Sequence, residues 1–137
     1  MATGFATVFI YGSLLPGHSN NHVVSDYILA SRPGRIAGRL VDFGPYPALV
    51  RDAEAARSGS CVRGLWIDVE KDGLHVMDTL EEFRGIEECN DYDRVQAVDI
   101  DRPEQRGWVY VWGCPRGCPP VEGDYWPAYY KRKIARG

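Results

Sequence analysis

Residues 6–14 read Ala-Thr-Val-Phe-Ile-Tyr-Gly-Ser-Leu, a short apolar run that stops abruptly at a glycine. Its β-branched and aromatic side chains and its length are typical of a buried strand. A strand that ends at a glycine leaves backbone N–H groups without ladder partners, and Gly12 lets the main chain approach a ligand closely. Successive N–H groups of this kind form a concave site suited to a carboxylate. We therefore predict a ligand-binding loop from Tyr11 to Leu14, with an ordinary turn as the alternative.

The rest of the chain alternates irregularly between strand-like and helix-like patterns. The patterns predict further strands at 35–43, 48–50, 61–69, 92–100 and 108–112, and helices at 20–30 and 74–83, the first of them ended by residues 31–34. Such an order is not the regular strand–helix alternation of a doubly wound parallel sheet. The sequence therefore predicts an α+β fold, a small mixed β-barrel of about six strands with short helices packed outside. Its length of 137 residues suits a single domain over 1–137.

Composition limits the classes of partner. The net charge is −3 and no basic stripe is present, so we expect no nucleic-acid partner, and the cluster 131–133 is interpreted as a solvated tail. No apolar run approaches the roughly 20 residues of a membrane helix, and no secretory leader is evident. We therefore expect a cytoplasmic protein without a membrane partner. The oligomeric state is left open, a monomer included.

Two of the four cysteines, Cys114 and Cys118, lie close together in a loop rich in proline and glycine. Zinc sites generally need two ligand pairs with short internal spacing, and the second pair is missing here. The sequence therefore predicts two loop thiols and neither a metal nor a cofactor. A disulfide between them is the alternative, unusual in a reducing compartment.

A carboxylate borders the apolar stripe of the second predicted helix. Leu74, Met77 and Leu80 are three residues apart and form one helix face, which Glu81 follows directly. A carboxylate near a buried face is desolvated, which favours its protonated form and suits it to general acid–base work. The alternative is an ordinary solvated helix residue.

Two strand-like segments contribute polar groups of their own. Tyr92 and Arg94 stand at the start of one strand, where an exposed turn is the alternative. Alternation along 108–112 puts Trp108, Tyr110 and Trp112 on one face, where Tyr110 could bring a hydroxyl to a cavity and the tryptophans form core.

Taken in order, these segments resemble the γ-glutamylcyclotransferase superfamily, which includes the γ-glutamylamine cyclotransferases and the plant avirulence-induced-gene-like proteins. The resemblance runs nearly end to end, and its ordered set of motifs is more specific than any one of them. The motifs are Val-Phe-Ile-Tyr-Gly-Ser-Leu at 8–14, Gly-Arg-Leu at 38–40, Tyr-Pro-Ala-Leu-Val at 46–50, Val-Arg-Gly-Leu-Trp at 62–66, Asp-Thr-Leu-Glu at 78–81, Tyr-Asp-Arg at 92–94 and Val-Tyr-Val-Trp at 109–112. One departure is Glu82, which stands where the family usually has glycine.

The resemblance implies an amide-cleaving enzyme of transferase or lyase type that cyclises a γ-glutamyl group to 5-oxoproline and releases an amine or amino acid. Glu81 would be the general acid/base, because its register with Leu80 favours it over Glu82. The implied substrate-binding residues are Tyr11, Gly12, Ser13, Leu14, Tyr92, Arg94 and Tyr110. A pocket for the leaving group is expected among 16–22, Tyr46 and the aromatic C-terminal tail. The alternative function is a non-catalytic small-molecule binding module on the same fold.

Overall fold

The computed structural model describes residues 5–12, 14–18, 21–44, 46–80 and 92–136. Within these ranges the chain forms one seven-stranded sheet, four α-helices and a 3₁₀ turn at Ser25–Tyr27. The strands are β1 (Phe5–Ile10), β2 (Ile28–Ala37), β3 (Arg39–Asp42), β4 (Pro47–Val50), β5 (Cys61–Glu70), β6 (Asp93–Val98) and β7 (Arg106–Trp112). The helices are α1 (Asn21–Val24), α2 (Ala53–Ser58), α3 (Lys71–Leu80) and α4 (Trp126–Arg136).

The sheet is mixed and strongly curled. Its strand order is β2-β5-β1-β7-β4-β3, with β6 also paired to β7, and β7 runs parallel to both β1 and β4. The two end strands of this order, β2 and β3, are joined by one residue, Gly38, so the sheet has to curl until its ends meet. Gly38 has φ +145°, a conformation that side chains disfavour, and a Cβ there would lie 2.8 Å from the Leu49 side chain. The predicted α+β fold with a small mixed barrel-like sheet and short helices is confirmed, and the curled sheet forms a half-barrel.

Each face of the sheet is buried in a separate apolar cluster. The inner cluster draws residues from all seven strands and includes Trp126 of α4. The opposite cluster contains Tyr110 and Trp112 of β7, and it is covered by Val24 of α1 and Met77 of α3. The predicted alternation of β7 is therefore confirmed, since Val109 and Val111 lie in the inner cluster.

The predicted helix over residues 20–30 is mostly wrong. Only a short α1 and the 3₁₀ turn form there, and β2 begins at Ile28. Residues 31–34, expected to end the helix, pair with β5 instead, with Pro33 opposite Leu65. Pro33 is tolerated because β2 stands at one end of the strand order, where a missing N–H donor need not interrupt a second ladder. Tertiary pairing thus overrode a local turn pattern.

A further helix forms after β4, and the C-terminal tail differs from the expectation. Asp52 caps α2 by accepting the N–H of Ala55 at 3.0 Å, so part of the polar stretch after β4 is helical. The C-terminal tail is not simply solvated, because it forms α4 and its Lys133 pairs with Asp42. No helix in the described ranges is both long enough and apolar enough to cross a membrane.

Candidate active site

The loop after β1 closes tightly onto the start of β4. A Cβ on Gly12 would lie 2.6 Å from Pro47 Cγ, so a larger residue would force the loop away from β4. The N–H of Leu15 donates to the carbonyl of Gly12 at 3.0 Å, and the side-chain amide of Asn21 donates to the carbonyl of Leu14 at 2.9 Å. These contacts hold Gly12 against β4 and tie Leu14 to α1.

The Tyr11 hydroxyl bridges two strands. It donates to the carbonyl of Tyr110 at 2.6 Å and accepts the N–H of Leu49 at 3.2 Å. Its side chain is 7% exposed and lies in the inner cluster. Tyr11 therefore joins β7 to β4 beneath the loop, and the atoms of residue 11 best placed for a ligand are those of its backbone.

Tyr110, Asp78 and Arg94 form a hydrogen-bonded group between β7, α3 and β6. The Tyr110 hydroxyl donates to Oδ1 of Asp78 at 2.6 Å, and Nη1 of Arg94 lies 3.1 Å from Oδ2 of the same carboxylate. Arg94 and Tyr110 are directly opposite each other in the β6–β7 ladder, so both reach the same helix. The Arg94 guanidinium also lies over the Trp108 ring at 4.7 Å. A carboxylate, a phenol and a guanidinium are thus fixed together.

Tyr92 connects this group to the loop. Its hydroxyl donates to the carbonyl of Pro47 at 2.9 Å, and Pro47 is the residue against which Gly12 closes. Tyr92, Tyr110 and Leu14 are buried in one cluster with Met77, the residue before Asp78. The described members of the predicted site therefore converge at one end of the sheet, next to α3.

Ser13, Glu81 and Glu82 lie outside the described residues, so the predicted roles of the loop serine and of the general acid/base remain predictions. Asp78 is a further candidate site residue, which the sequence analysis named only as part of the 78–81 motif and not as a site residue. Its spacing contained the necessary information, because it is four residues after Leu74 on a helix and hence on the same face. Its two partners become visible only when β6 and β7 are paired.

The segments expected to line the leaving-group pocket also approach one another. The His18 and Tyr130 rings are 6.2 Å apart, so the loop after Pro16 meets α4. Tyr46 is 37% exposed on the turn between β3 and β4.

The C-terminal helix α4 binds the turn between β3 and β4 through an ion pair and hydrogen bonds. Lys133 Nζ donates to Asp42 Oδ1 at 2.9 Å and to the carbonyl of Gly44 at 2.8 Å, and the Tyr129 hydroxyl donates to Asp42 Oδ2 at 2.6 Å. Burial alone raises the pKa of Asp42, but the hydrogen bonds from Tyr129, Lys133 and the Gly44 N–H outweigh it and hold the pKa below its usual range. An ionised Asp42 therefore ties α4 to the turn that leads into Pro47.

One of the thiols lies next to this region, because Cys118 packs, partly buried, against the cluster that contains Tyr92 and Tyr110. Cys61, Cys114 and Cys118 are free cysteines, and the predicted proline- and glycine-rich segment 115–120 contains no helix or strand. Over the residues the structure describes, no group of three or more His, Cys, Asp and Glu side chains is arranged to hold a metal ion.

Comparison with known proteins identifies the family. A family model described as gamma-glutamyl cyclotransferase, AIG2-like, matches residues 8–128. The gamma-L-glutamyl-butirosin B gamma-glutamyl cyclotransferase of Niallia circulans is 34% identical over 108 residues, which are 77% of this chain, and the chain spans 65% of that relative's length.

Solved structures share the fold. YkqA from Bacillus subtilis has a TM-score of 0.72 at 16% identity, over 96% of this chain and 43% of that one. An AIG2-like protein from Mus musculus has a TM-score of 0.62 at 24% identity, over 88% of this chain and 92% of that one. The ordered motifs, the curled sheet and the family match over most of the chain agree, and the chain belongs to the γ-glutamyl cyclotransferase, AIG2-like family.

Proposed function

We propose that this chain is an enzyme that cyclises a γ-glutamyl amide to 5-oxoproline and releases a free amine or amino acid. The observation that carries the proposal is the convergence of the Gly12 loop, Tyr92, Tyr110 and α3 in one cluster of a chain that matches the family over residues 8–128.

The reaction is an internal amide exchange. The α-amine of the γ-glutamyl group attacks its own side-chain amide carbon and forms the ring C–N bond. The original C–N bond then breaks, and the proton given up by the attacking nitrogen ends on the leaving nitrogen, so no water is consumed. Because the nucleophile is tethered, the enzyme has to fold the substrate, and well-oriented intramolecular reactions reach effective molarities of ~10⁵–10⁸ M.

In this scheme the loop from Tyr11 to Leu14 binds the substrate α-carboxylate through backbone N–H groups. Its closure onto Pro47 and its anchor at Asn21 support this role, since a preformed turn loses little entropy on binding. Glu81 takes the proton of the attacking ammonium and passes it to the leaving nitrogen. It follows Asp78 by three residues, a spacing that would place both carboxylates on one face of the helix predicted from the sequence at 74–83.

The test is 5-oxoproline release from a panel of γ-glutamyl compounds. The panel includes γ-glutamyl amines, γ-glutamyl amino acids and glutathione. It also includes γ-L-glutamyl-butirosin B, after which the similar Niallia circulans enzyme is named. We expect turnover of at least one compound, and we expect Glu81→Gln to lower it by about 10²–10⁴-fold while the protein still folds. Glu82→Gln is the matched control, because it removes the neighbouring carboxylate in the same way. Near-full activity of Glu81→Gln would refute the role of Glu81.

The presence of Glu82 where the family usually has glycine favours a second candidate, a binding module without turnover. Calorimetry on the same panel separates the two functions. Binding of a γ-glutamyl compound with no 5-oxoproline formed would establish the binding module and exclude the enzyme for that ligand.

We further propose that the leaving group lies between the loop after Pro16, Tyr46 and α4. The close approach of His18 to Tyr130 supports this placement. Tyr130→Ala should then change the ranking of the panel compounds more than it changes turnover of the best one.

A further inference from the structure

We propose that Asp78 is a positioning residue that fixes the Tyr110 hydroxyl as a hydrogen-bond acceptor for the N–H groups of the attacking nitrogen. This inference rests on the proposed cyclisation and goes beyond it, since it gives Tyr110 one specific role and gives Asp78 a role through Tyr110.

The geometry commits the phenol proton. A tyrosine hydroxyl has one hydrogen to donate and lone pairs to accept with. The 2.6 Å contact with Asp78 Oδ1 is the length of a strong bond from a hydroxyl to a carboxylate, and it uses that hydrogen. The lone pairs of the Tyr110 oxygen then face away from Asp78.

The charge on Asp78 keeps this direction fixed. Its second carboxylate oxygen lies 3.1 Å from Arg94 Nη1, and the two side chains are 16% and 18% exposed, so solvent screens the ion pair little. An ionised carboxylate can only accept hydrogen bonds. Tyr110 is therefore the donor in its hydrogen bond with Asp78. Arg94 affects Tyr110 only indirectly, because it balances the charge of the Asp78 carboxylate.

The consequence for the reaction concerns which substrate atom Tyr110 contacts. A hydroxyl whose proton is committed cannot stabilise a developing oxyanion, but it can accept an N–H of the substrate ammonium or of the amine formed from it. An acceptor at this nitrogen would orient its lone pair toward the amide carbon after the proton is lost. This role affects the chemical step more than binding, because the carboxylate end of the substrate is bound by the loop.

The experiment is a double-mutant cycle on 5-oxoproline formation. Asp78→Asn keeps the shape of the side chain, and Tyr110→Phe removes only the hydroxyl. We expect each single variant to lower kcat by about 10- to 100-fold, with KM changed less than about threefold. In the Tyr110→Phe background, Asp78→Asn should lower kcat by less than about twofold further, because Asp78 acts through the hydroxyl.

The chain offers a matched control in Asp68. This carboxylate also accepts a hydroxyl, that of Thr7 at 2.8 Å, and also pairs with an arginine, Arg32 at 3.0 Å. Thr7 precedes Gly12 by five residues of extended chain, about 16 Å. We expect Asp68→Asn to lower stability as much as Asp78→Asn while leaving kcat unchanged. If Asp78→Asn does not fold, the Asp78→Asn/Arg94→Gln pair removes both charges together and replaces it in the cycle.

Two results would overturn the role of Asp78 in an active enzyme: unchanged kcat in Asp78→Asn, or losses from Asp78→Asn and Tyr110→Phe that multiply in the double variant. Absence of 5-oxoproline from the wild-type protein with every panel compound would overturn the proposed cyclisation and this inference together. The two failures are therefore distinguishable.

Discussion

Replacement of Tyr11 by phenylalanine tests whether the hydroxyl bridge holds β4 against β7. The substitution keeps the ring in the inner cluster and removes one oxygen atom. That oxygen donates to the carbonyl of Tyr110 at 2.6 Å and accepts the N–H of Leu49 at 3.2 Å, and Leu49 is fully buried. The variant therefore deprives two main-chain groups of a partner at a point that water does not reach.

The magnitude follows from those two groups. The Leu49 N–H loses the hydroxyl acceptor, and a buried donor without a partner costs about 1–3 kcal/mol. The Tyr110 carbonyl loses one hydrogen bond, with a net value of about 1 kcal/mol. We expect the free energy of unfolding to fall by roughly 2–4 kcal/mol, which for a domain of this size lowers Tm by roughly 10 °C.

Urea unfolding followed by tryptophan fluorescence measures the change, with calorimetry for Tm. Tyr27→Phe is the matched control, because Tyr27 packs partly buried against the other cluster and its hydroxyl makes no hydrogen bond within the described residues. This control should stay within about 0.5 kcal/mol of the wild type. A Tyr11→Phe protein as stable as Tyr27→Phe would show that the bridge contributes nothing and would refute the reasoning.

Three further predictions concern the parts of the fold that support the site. Burial raises the pKa of the Asp99 carboxyl, but hydrogen bonds from an indole and three backbone N–H groups outweigh it and hold the pKa below its usual range. The ionised Asp99 therefore stabilises the fold fully at a pH above the unfolded-state pKa of about 4, and this stabilisation is lost as the pH falls through the folded-state pKa. We expect Tm to fall on acidification, and to fall less in the Asp99→Asn variant. Gly38→Ala should lower the free energy of unfolding by about 1–3 kcal/mol, because φ is +145° and the new Cβ would lie 2.8 Å from the Leu49 side chain. An unchanged urea midpoint would argue against strain at the junction of β2 and β3. Lys133→Met should lower the free energy of unfolding by about 1–2 kcal/mol, less than the loss of a fully buried ion pair, because Lys133 is 37% exposed. If the substitution had an equal effect in an Asp42→Asn background, that result would contradict the ion pair.

The sequence pattern alone predicted the structure correctly in segments where apolar residues recur with the period of a strand or a helix. Alternation in β7 determined which side chains share a face with Tyr110, and the spacing of Leu74 and Met77 determined the buried face of α3. The abrupt end of the apolar run at Gly12 determined where β1 stops. These features depend on the periods of a strand and a helix, which a single segment reveals.

The sequence pattern alone failed in segments whose secondary structure depends on contacts with residues distant in the chain. Residues 31–34 contain a proline and a glycine and were expected to end a helix, but pairing with β5 makes them part of a strand. The aromatic C-terminal tail became a helix because Trp126 is buried in the inner cluster and Lys133 pairs with Asp42, a residue from β3. Neither partner is near in sequence.

The sequence by itself determined the strand-and-loop character of residues 6–14, the buried face of the second helix and the family resemblance that named Glu81. Tertiary structure alone decided that Gly38 joins the two ends of a curled sheet, that the Tyr11 hydroxyl serves the strands, and that Asp78 meets Tyr110 and Arg94. The physical reason is that a hydrogen-bonded group needs exact distances between atoms that are 16 and 32 residues apart in the chain, and only the register of β6 with β7 against α3 fixes those distances.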